Sequence, residues 1–314
     1  MQQEKLVVVG SGFVGSTTAY TAMLGGLFSE IVIVDIDRNK AEGDALDMMH
    51  GVSFVGPVKV YAGDYSDCKD ADIIAITAGV GQRPGETRHD LLKRNADVFE
   101  NIVGEITKYC KKSVILLVVT NPVDVLTYIT AKISGLPEKQ VIGSGTVLDT
   151  SRLKYMLSRD TGIDARNIHS YVLGEHGDSE MIAWSTVTIA GMSIDEFCAK
   201  CGRCTGGQNR EKIALDVKNA AYDIINKKGA TYYAVALGVN RIFEALVNNE
   251  NSILTVSSIL SGQYGINDVA LSLPAIINSG GAQGLIEVPL NDNETRELQK
   301  SAQTLKELIR DIGY

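Results

Sequence analysis

The sequence predicts an α/β protein with a doubly wound parallel sheet, followed by a mixed α+β domain. Short apolar segments alternate with helix-like segments over residues 5–142, which is typical of a parallel sheet with helices on both faces. From about Ser144 the rhythm changes to strands of mixed length and three helical stretches. We therefore expect two domains, residues 1–143 and 144–314.

The segments of the first half are short enough to be placed individually. Six strands are predicted at Lys5–Val9, Ile31–Val34, Val58–Ala62, Ile73–Thr77, Val114–Val119 and Val141–Ile142. Four helices are predicted at Ser16–Leu24, Asn39–Met49, Leu91–Cys110 and Val123–Ile133. The helices expected in the second half are Ser151–Arg159, Gln208–Asn226 and Asp292–Ile312. The last has apolar residues at helical spacing, with Asp292 or Asn293 as its expected cap.

Composition excludes several classes of function. The chain has 314 residues and a formal net charge of −8, and its basic residues are scattered, which argues against nucleic-acid binding. No apolar segment in the first half approaches the length of a membrane span, and the N-terminal residues show no signal-peptide core. Five cysteines, an odd number, fit a reducing compartment. We expect a cytoplasmic protein.

A glycine-rich loop follows the first predicted strand. It reads Gly10-Ser11-Gly12-Phe13-Val14-Gly15, and Asp35 lies twenty residues beyond Gly15, at the end of the second strand. Strand, glycine loop, helix, strand and acid together are typical of a Rossmann dinucleotide-binding unit. The helix N-terminus would bind the pyrophosphate, and Asp35 would accept hydrogen bonds from the adenosine ribose. The alternative is a purely structural glycine loop.

Four further segments carry candidate functional residues. His176 lies between two glycines after an apolar run, and an imidazole exchanges protons near neutral pH. A glycine-rich loop after Thr77 suggests a mobile lid, Asn121 follows the Val114–Val119 strand, and Asp149 opens the second half. The alternatives are a solvated turn for His176, an ordinary surface loop, and helix caps for Asn121 and Asp149.

Together these segments resemble the lactate/malate dehydrogenase family, and within it the bacterial L-lactate dehydrogenases. The similarity extends over nearly the whole chain. The segments that carry it are Gly10–Gly15, Asp35, Gly85-Glu86-Thr87-Arg88, Thr120-Asn121-Pro122-Val123-Asp124, Leu148-Asp149-Thr150-Ser151-Arg152, Gly174-Glu175-His176-Gly177-Asp178 and Gly229-Ala230-Thr231.

The resemblance implies reversible, NADH-dependent reduction of pyruvate to L-lactate, as in glycolytic fermentation. It assigns His176 as proton donor, Asp149 as the residue that orients it, and Arg88 on the lid as the group that polarises the carbonyl. Arg152 would hold the substrate carboxylate, with Asn121 and Thr231 also in the substrate pocket. NAD would contact Gly10, Gly12, Phe13, Val14, Gly15, Asp35, Thr77, Ala78, Gly79 and Asn121.

Substrate choice depends on one lid position. By the resemblance, malate enzymes carry an arginine where lactate enzymes carry a glutamine, and that position here is Gln82. Arg83 leaves an alternative, because a loop shifted by one residue would match malate enzymes; Glu86 favours lactate. Malate or another 2-hydroxy acid is thus the second hypothesis. The third is a catalytically silent dinucleotide-binding module, although such a module would not need the catalytic residues.

The resemblance also implies a homotetramer and activation by fructose 1,6-bisphosphate. His169 stands where allosteric relatives bind the bisphosphate, but Lys154 replaces the usual partner arginine. One motif lies outside this scheme: Cys198, Cys201 and Cys204 have iron–sulfur-like spacing but lack a fourth cysteine nearby. We expect no metal there, but a reduced surface segment.

Overall fold

The computed structural model describes residues 4–81, 85, 87–202, 204 and 210–314, except for the side chain of Arg88. The strands are β1 (Lys5–Val9), β2 (Glu30–Val34), β3 (Lys59–Ala62), β4 (Ile73–Ile76), β5 (Ile115–Val118), β6 (Val141–Gly143), β7 (Ile168–His169), β8 (Val172–Leu173), β9 (Met181–Ile182), β10 (Thr188–Ile189), β11 (Met192–Ser193), β12 (Ser252–Ser261), β13 (Asn267–Asn278) and β14 (Gly281–Leu285). The helices are α1 (Phe13–Gly25), α2 (Arg38–His50), α3 (Arg88–Tyr109), α4 (Val123–Ser134), α5 (Val147–Thr161), α6 (Ile194–Cys201), α7 (Arg210–Lys228), α8 (Tyr233–Val247) and α9 (Asp292–Asp311).

A nine-stranded sheet with the order β14-β13-β12-β6-β5-β4-β1-β2-β3 forms the centre of the fold. Strands β1 to β6 are parallel, as the sequence predicts. Strand β1 lies between β2 and β4, so the chain crosses from one side of β1 to the other after β3. Ligands bind at such a reversal, at the carboxyl ends of the strands.

The sheet continues into the second half of the chain. Strand β12 pairs antiparallel with β6 through Ser257 and Gly143, and β13 and β14 follow as an antiparallel meander. The polypeptide on either side of residue 143 therefore shares one hydrogen-bonded sheet. A hydrophobic cluster built around α5, α7 and the short strands β7 to β10 lies apart from this sheet.

Both faces of the sheet are covered by helices. Successive residues of β1 enter opposite clusters: Val7 and Val9 pack with α3, α4 and α9, whereas Leu6 and Val8 pack with α1, α2 and α8. A strand segment buried on both faces is typically apolar throughout, which explains the uninterrupted apolar run Leu6–Val9 of β1. No helix among the described residues has the length and apolarity needed to cross a membrane.

Several element predictions need correction. Helix α1 begins at Phe13 rather than Ser16, because Gly12 adopts the extended N-cap conformation directly after the loop. Helices α6 and α8 were not predicted; the apolar stretch at the start of α8 does not distinguish helix from strand. The cap of α9 is Asn291, in a capping box with Glu294, rather than Asp292 or Asn293. The predicted apolar face of α9 is confirmed by its buried residues.

Two glycines of the first loop make a matched pair for mutation. A Cβ on Gly15 would lie 1.8 Å from the carbonyl oxygen of Gly10, whereas a Cβ on Gly12 would have no heavy atom within 4 Å. We expect Gly15→Ala to force α1 away from β1 and destabilise the fold by about 1–3 kcal/mol, and Gly12→Ala to be nearly neutral. Urea unfolding measures both; equal destabilisation would contradict this packing.

Candidate active site

The glycine loop is held against the neighbouring strand by Thr77. Its hydroxyl lies 3.0 Å from the Val9 carbonyl oxygen and 2.9 Å from the Gly10 carbonyl oxygen, to which it can donate. Gly10 has φ +103°, and a Cβ there would lie 2.6 Å from the Ala78 nitrogen, so glycine is required. The loop is thus built for close approach of backbone to a ligand.

A cleft of about 590 Å³ opens over this loop. Its lining includes the predicted residues Gly10, Gly12, Asp35, Thr77, Ala78 and Gly79. The Asp35 carboxylate accepts hydrogen bonds from the Ser11 N–H at 2.5 Å and the Asp37 N–H at 2.8 Å. These contacts fix the acid at the end of β2, beside the loop. Phe13, also predicted here, is 69% exposed and stacks on Tyr232.

A second cleft of about 300 Å³ adjoins the first, because Thr77 lines both. It lies between the carboxyl ends of the parallel strands and the helices of the second half. Six predicted residues meet in its wall: Val14, Thr77, Asn121, Arg152, His176 and Thr231. They come from segments separated by more than two hundred positions. The structure thus brings together predicted cofactor and substrate residues.

His176 and Asp149 form the central pair. The Nδ1 atom of His176 lies 2.6 Å from Oδ2 of Asp149, whose side chain is 2% exposed. Burial alone disfavours the imidazolium, but the Asp149 charge and hydrogen bond outweigh it and raise the pKa of His176. The pKa of Asp149 is lowered, since its two cationic neighbours outweigh its desolvation. An ionised Asp149 keeps the proton on Nδ1, leaving Nε2 for chemistry.

Helix α5 positions Asp149 and Arg152 on one face, three residues apart. The N-cap of α5 is Thr146, so the alternative of Asp149 as N-cap is wrong; Asp149 lies in the first turn, where the helix dipole favours a carboxylate. Arg152 donates from Nη1 to Asp149 Oδ1 at 2.7 Å. Asp149 therefore bridges a guanidinium and an imidazole. Likewise Asn121 is not a cap, because Pro122 holds the N-cap position of α4.

The sequence analysis gave no role to Asp124, which fixes the backbone of His176. Its Oδ2 accepts the His176 N–H at 2.7 Å, and its Oδ1 accepts the Ser257 hydroxyl at 2.6 Å. Burial raises the pKa of Asp124 to about 6, although both hydrogen bonds oppose this shift. The available signal was its place in the Asn121-Pro122-Val123-Asp124 motif, as an acid between two valines in the first turn of α4.

Glu180, two residues beyond the Gly174–Asp178 segment, was also not predicted from the sequence. Single ligand atoms of Asp149, His176 and Glu180 all lie within 4.8 Å of one another. Burial and the Asp149 charge raise the pKa of Glu180 to about 8. Glu180 therefore carries a proton for much of the neutral range. When ionised, it adds negative charge near His176 and favours the imidazolium.

Asn95, on α3, anchors the start of the predicted lid. This buried residue accepts the Val80 N–H at 3.0 Å, and its side-chain nitrogen donates to the Leu91 carbonyl at 3.2 Å. Gly79 is packed so tightly that a Cβ would lie 2.5 Å from Thr120 Cγ2. Gln82, Arg83, Glu86 and the Arg88 side chain lie outside the described residues.

Neither of the two predicted allosteric residues lines the paired clefts. Lys154 lines a third cavity of about 370 Å³, which adjoins the second cleft through Val147, Leu148 and Gly238 and has Arg241 also in its wall. Burial lowers the pKa of Lys154. His169 is exposed on β7. The structure therefore gives Lys154 a partly enclosed anion-sized space but does not place His169 in the same wall.

The three neighbouring cysteines differ from the expectation of a reduced segment. Cys198 and Cys204 form a disulfide, so that expectation is wrong for this pair. Cys201 is not part of the bond. The remaining cysteines, Cys68 and Cys110, lie in the first half of the chain.

Comparison with protein families matches both halves of the chain. Residues 4–143 match the lactate/malate dehydrogenase NAD-binding domain, and residues 146–313 match the lactate/malate dehydrogenase α/β C-terminal domain. The chain belongs to the lactate/malate dehydrogenase family. It is an NAD-dependent oxidoreductase, as the first-loop residues predict.

Comparison with individual members of the family shows which of its enzymes this chain resembles. The chain is 58% identical to the L-lactate dehydrogenase of Acetivibrio thermocellus, over 98% of this chain and 97% of that protein. It is also 58% identical to L-lactate dehydrogenase 1 of Clostridium acetobutylicum, over 98% of each. A solved lactate dehydrogenase from a Medee basin deep-sea metagenome library superposes with a TM-score of 0.97, at 44% identity and complete coverage of both chains. These similarities support lactate rather than malate.

The charges around His176 determine the pH range over which its imidazole loses a proton. The raised pKa keeps the imidazolium through neutral pH and loses it as pH rises through about 9. Asp149→Asn should lower this pKa strongly, whereas Glu180→Gln should lower it by up to about one unit because only one neighbouring charge is lost. The pKa of His176 in each variant can be measured by a proton NMR titration of the four histidines.

Glu297→Gln, at an exposed position on α9, is the matched control and should leave the titration unchanged. An unshifted His176 titration in Glu180→Gln would mean that the Glu180 charge does not reach the imidazole.

Proposed function

We propose that this protein reduces pyruvate to L-lactate with NADH, reversibly, and that His176, Asp149 and Arg152 carry the reaction. The observation that carries the proposal is the buried Asp149 carboxylate, which contacts at once His176 and Arg152, two residues of the cleft wall. Reducing a 2-keto acid requires a proton for the carbonyl oxygen and a cation for the carboxylate. His176 provides the proton and Arg152 provides the cation, and both side chains contact Asp149.

His176 provides the proton from Nε2. Its Nδ1–H is held by Asp149, so the ring keeps one orientation while Nε2 exchanges its proton with the substrate oxygen. In the reverse direction neutral His176 takes the proton back, and Asp149 stabilises the imidazolium that results. Asp124 holds the backbone of His176 from the opposite side.

Arg152 binds the substrate carboxylate. A guanidinium has five N–H donors, and the Asp149 contact uses one nitrogen. The remaining donors can form a bidentate pair with a carboxylate. Asn121 and Thr231 line the same cleft; Asn121 would contact the carbonyl oxygen, and Thr231 would line the substrate pocket. Arg88 on the lid would polarise the carbonyl once the loop closes and water leaves.

The first cleft fits NAD. An N-terminal helix end above a glycine loop binds a pyrophosphate through backbone N–H groups, and Gly12 leaves open space there. Asp35 would bond the ribose diol and repel a 2′-phosphate, beside the fully exposed apolar Ile36. When bound, NADH supplies the hydride. We assign residues 1–143 to cofactor binding and 144–314 to catalysis and substrate binding, with the sheet shared between them.

The lid residue Gln82 would set substrate choice. Pyruvate ends in a methyl group, which a neutral glutamine can face, whereas oxaloacetate would place an unpaired carboxylate under the closed lid. An unpaired buried charge is costly. A neutral residue at this position therefore selects the monocarboxylate.

Activity with pyruvate and oxaloacetate tests the function and its specificity together. We expect NADH oxidation with pyruvate to exceed that with oxaloacetate. Gln82→Arg should reverse the order, with a swing of about a thousandfold in relative kcat/KM, because it supplies the missing counter-ion. Arg83→Gln is the matched control and should change the ratio much less. A larger effect at Arg83 would show that this residue controls dicarboxylate use.

We also propose a homotetramer. Large apolar side chains lie exposed on the α1, α2 and α8 side of the molecule, an arrangement typical of an interface. They are Tyr20 (49% exposed), Leu24 (56%), Phe54 (88%), Tyr233 (65%) and Leu237 (64%). We also propose a cytoplasmic, fermentative role, which the membership of the family supports.

Activation by fructose 1,6-bisphosphate is the regulatory part of the proposal. Lys154 and Arg241 give the 370 Å³ cavity two cations beside apolar walls, suited to a sugar phosphate.

We expect fructose 1,6-bisphosphate to lower the KM for pyruvate and to stabilise the tetramer in light scattering. Lys154→Gln should abolish both effects and leave basal kcat intact. The matched control Lys227→Gln removes an exposed cation on α7 and should keep activation. Unchanged activation in Lys154→Gln would exclude this cavity.

A further inference from the structure

A cluster of three sulfur atoms lies at the end of α6, away from the clefts. We call Cys198, Cys201 and Cys204 the sulfur cluster. Cys198 and Cys201 lie in the last turn of α6, which ends at the left-handed Gly202 with φ +60°, and Cys204 follows directly. All three side chains are partly exposed. Reagents from solvent can therefore reach them.

The sulfur atoms are close enough to react with one another. Cys198 and Cys204 are joined as a disulfide, with Cα atoms 5.3 Å apart. The Sγ atom of Cys201 lies 3.4 Å from Sγ of Cys204, and 3.8 Å from the Cys198 carbonyl oxygen, to which its S–H donates. A thiol in contact with a disulfide is the arrangement from which exchange proceeds, once the thiol loses its proton.

We propose that the sulfur cluster is a thiol–disulfide exchange site, in which Cys201 attacks Cys204 and the disulfide alternates between two pairings. It would take dithiols and low-molecular-weight disulfides as its reaction partners. This goes beyond lactate oxidation, because no residue of the cluster lines either cleft.

The exchange balances within the chain. The Cys201 thiolate forms a bond to Cys204 Sγ, the Cys198–Cys204 bond breaks, and Cys198 leaves as a thiolate that takes up the proton released by Cys201. The product is a Cys201–Cys204 pair with the C-x-x-C spacing of redox-active disulfides. A dithiol reduces either pairing by two electrons, leaving three thiols and an oxidised dithiol.

The fold argues against a purely structural role for this bond. Helix α6 is already tied to α7 through its first turn, by the Arg210–Asp195 ion pair at 2.6 Å, and Arg210 also lies over the Trp184 ring. Disulfides in reducing compartments are usually transient, catalytic or sensing rather than permanent. Cys68 is fully buried and Cys110 is half-buried, both far along the chain, so neither shares this environment.

The sequence makes the pairing directly measurable. Trypsin cleaves after Lys200 and Arg203, so Cys198 falls on peptide 167–200, Cys201 on 201–203 and Cys204 on 204–210. The air-equilibrated full-length protein is alkylated with N-ethylmaleimide, digested without reduction and analysed by mass spectrometry. Each bridged pair of peptides then identifies one disulfide, and each alkylated peptide one thiol.

We expect both bridged pairs, 167–200 with 204–210 and 201–203 with 204–210, with alkylation on Cys201 and Cys198 respectively. Their ratio should lie within about tenfold of one, because exchange replaces one S–S bond by another. Cys201→Ser should keep only the first pair and lose alkylation of Cys198. The matched control Cys110→Ser should keep both pairs. Pretreatment with a dithiol should give three alkylated peptides and no bridge.

Three outcomes would overturn the proposal. Alkylation confined to Cys201, with the Cys198–Cys204 bridge alone, would mean that no exchange takes place. Three alkylated thiols without any bridge in the air-equilibrated protein would mean that no disulfide forms. Protection of all three thiols by one equivalent of bound zinc would mean that the cluster is a metal site instead.

Discussion

The buried Asp149 carboxylate is the interaction on which the active site depends. With 2% of its side chain exposed, it has lost nearly all contact with water and is compensated by His176 and Arg152. Removing one partner of such a buried ionic group leaves an uncompensated charge, which costs about 3–5 kcal/mol. The candidate proton donor His176 and the candidate carboxylate-binding cation Arg152 are therefore held in place by the two oxygen atoms of one carboxylate.

This ionic group depends in turn on segments far away in the chain. Asp124 on α4 holds the His176 backbone and is itself held by Ser257 on β12. The hydroxyl of Thr146, the N-cap residue of α5, donates to the Val172 carbonyl at 2.5 Å, and the Thr146 N–H donates to Ser272 Oγ at 3.1 Å. Displacement of the central strands would therefore move Asp149 and His176 together.

The shared sheet explains how two sequence halves act as one site. Strands β12 to β14 extend the parallel sheet from β6, so one continuous sheet supports both halves of the chain. A boundary at residue 143 describes the change of pattern in the sequence, but backbone hydrogen bonds cross it. Cofactor and substrate residues therefore need no flexible linker to meet in adjoining clefts.

The sequence by itself determined the parallel sheet and the glycine loop with Asp35, and its resemblance to a known family named most of the candidate site residues. The loop and its acid depend on a short spacing, the twenty residues between Gly15 and Asp35, because local backbone geometry enforces it. Only the tertiary structure decided the antiparallel extension of the sheet, the contacts of Asp124 and Glu180 with His176, and the disulfide at the end of α6. Each of these results from side chains or strands brought together by packing, and neither periodicity nor residue spacing specifies which distant partners will meet.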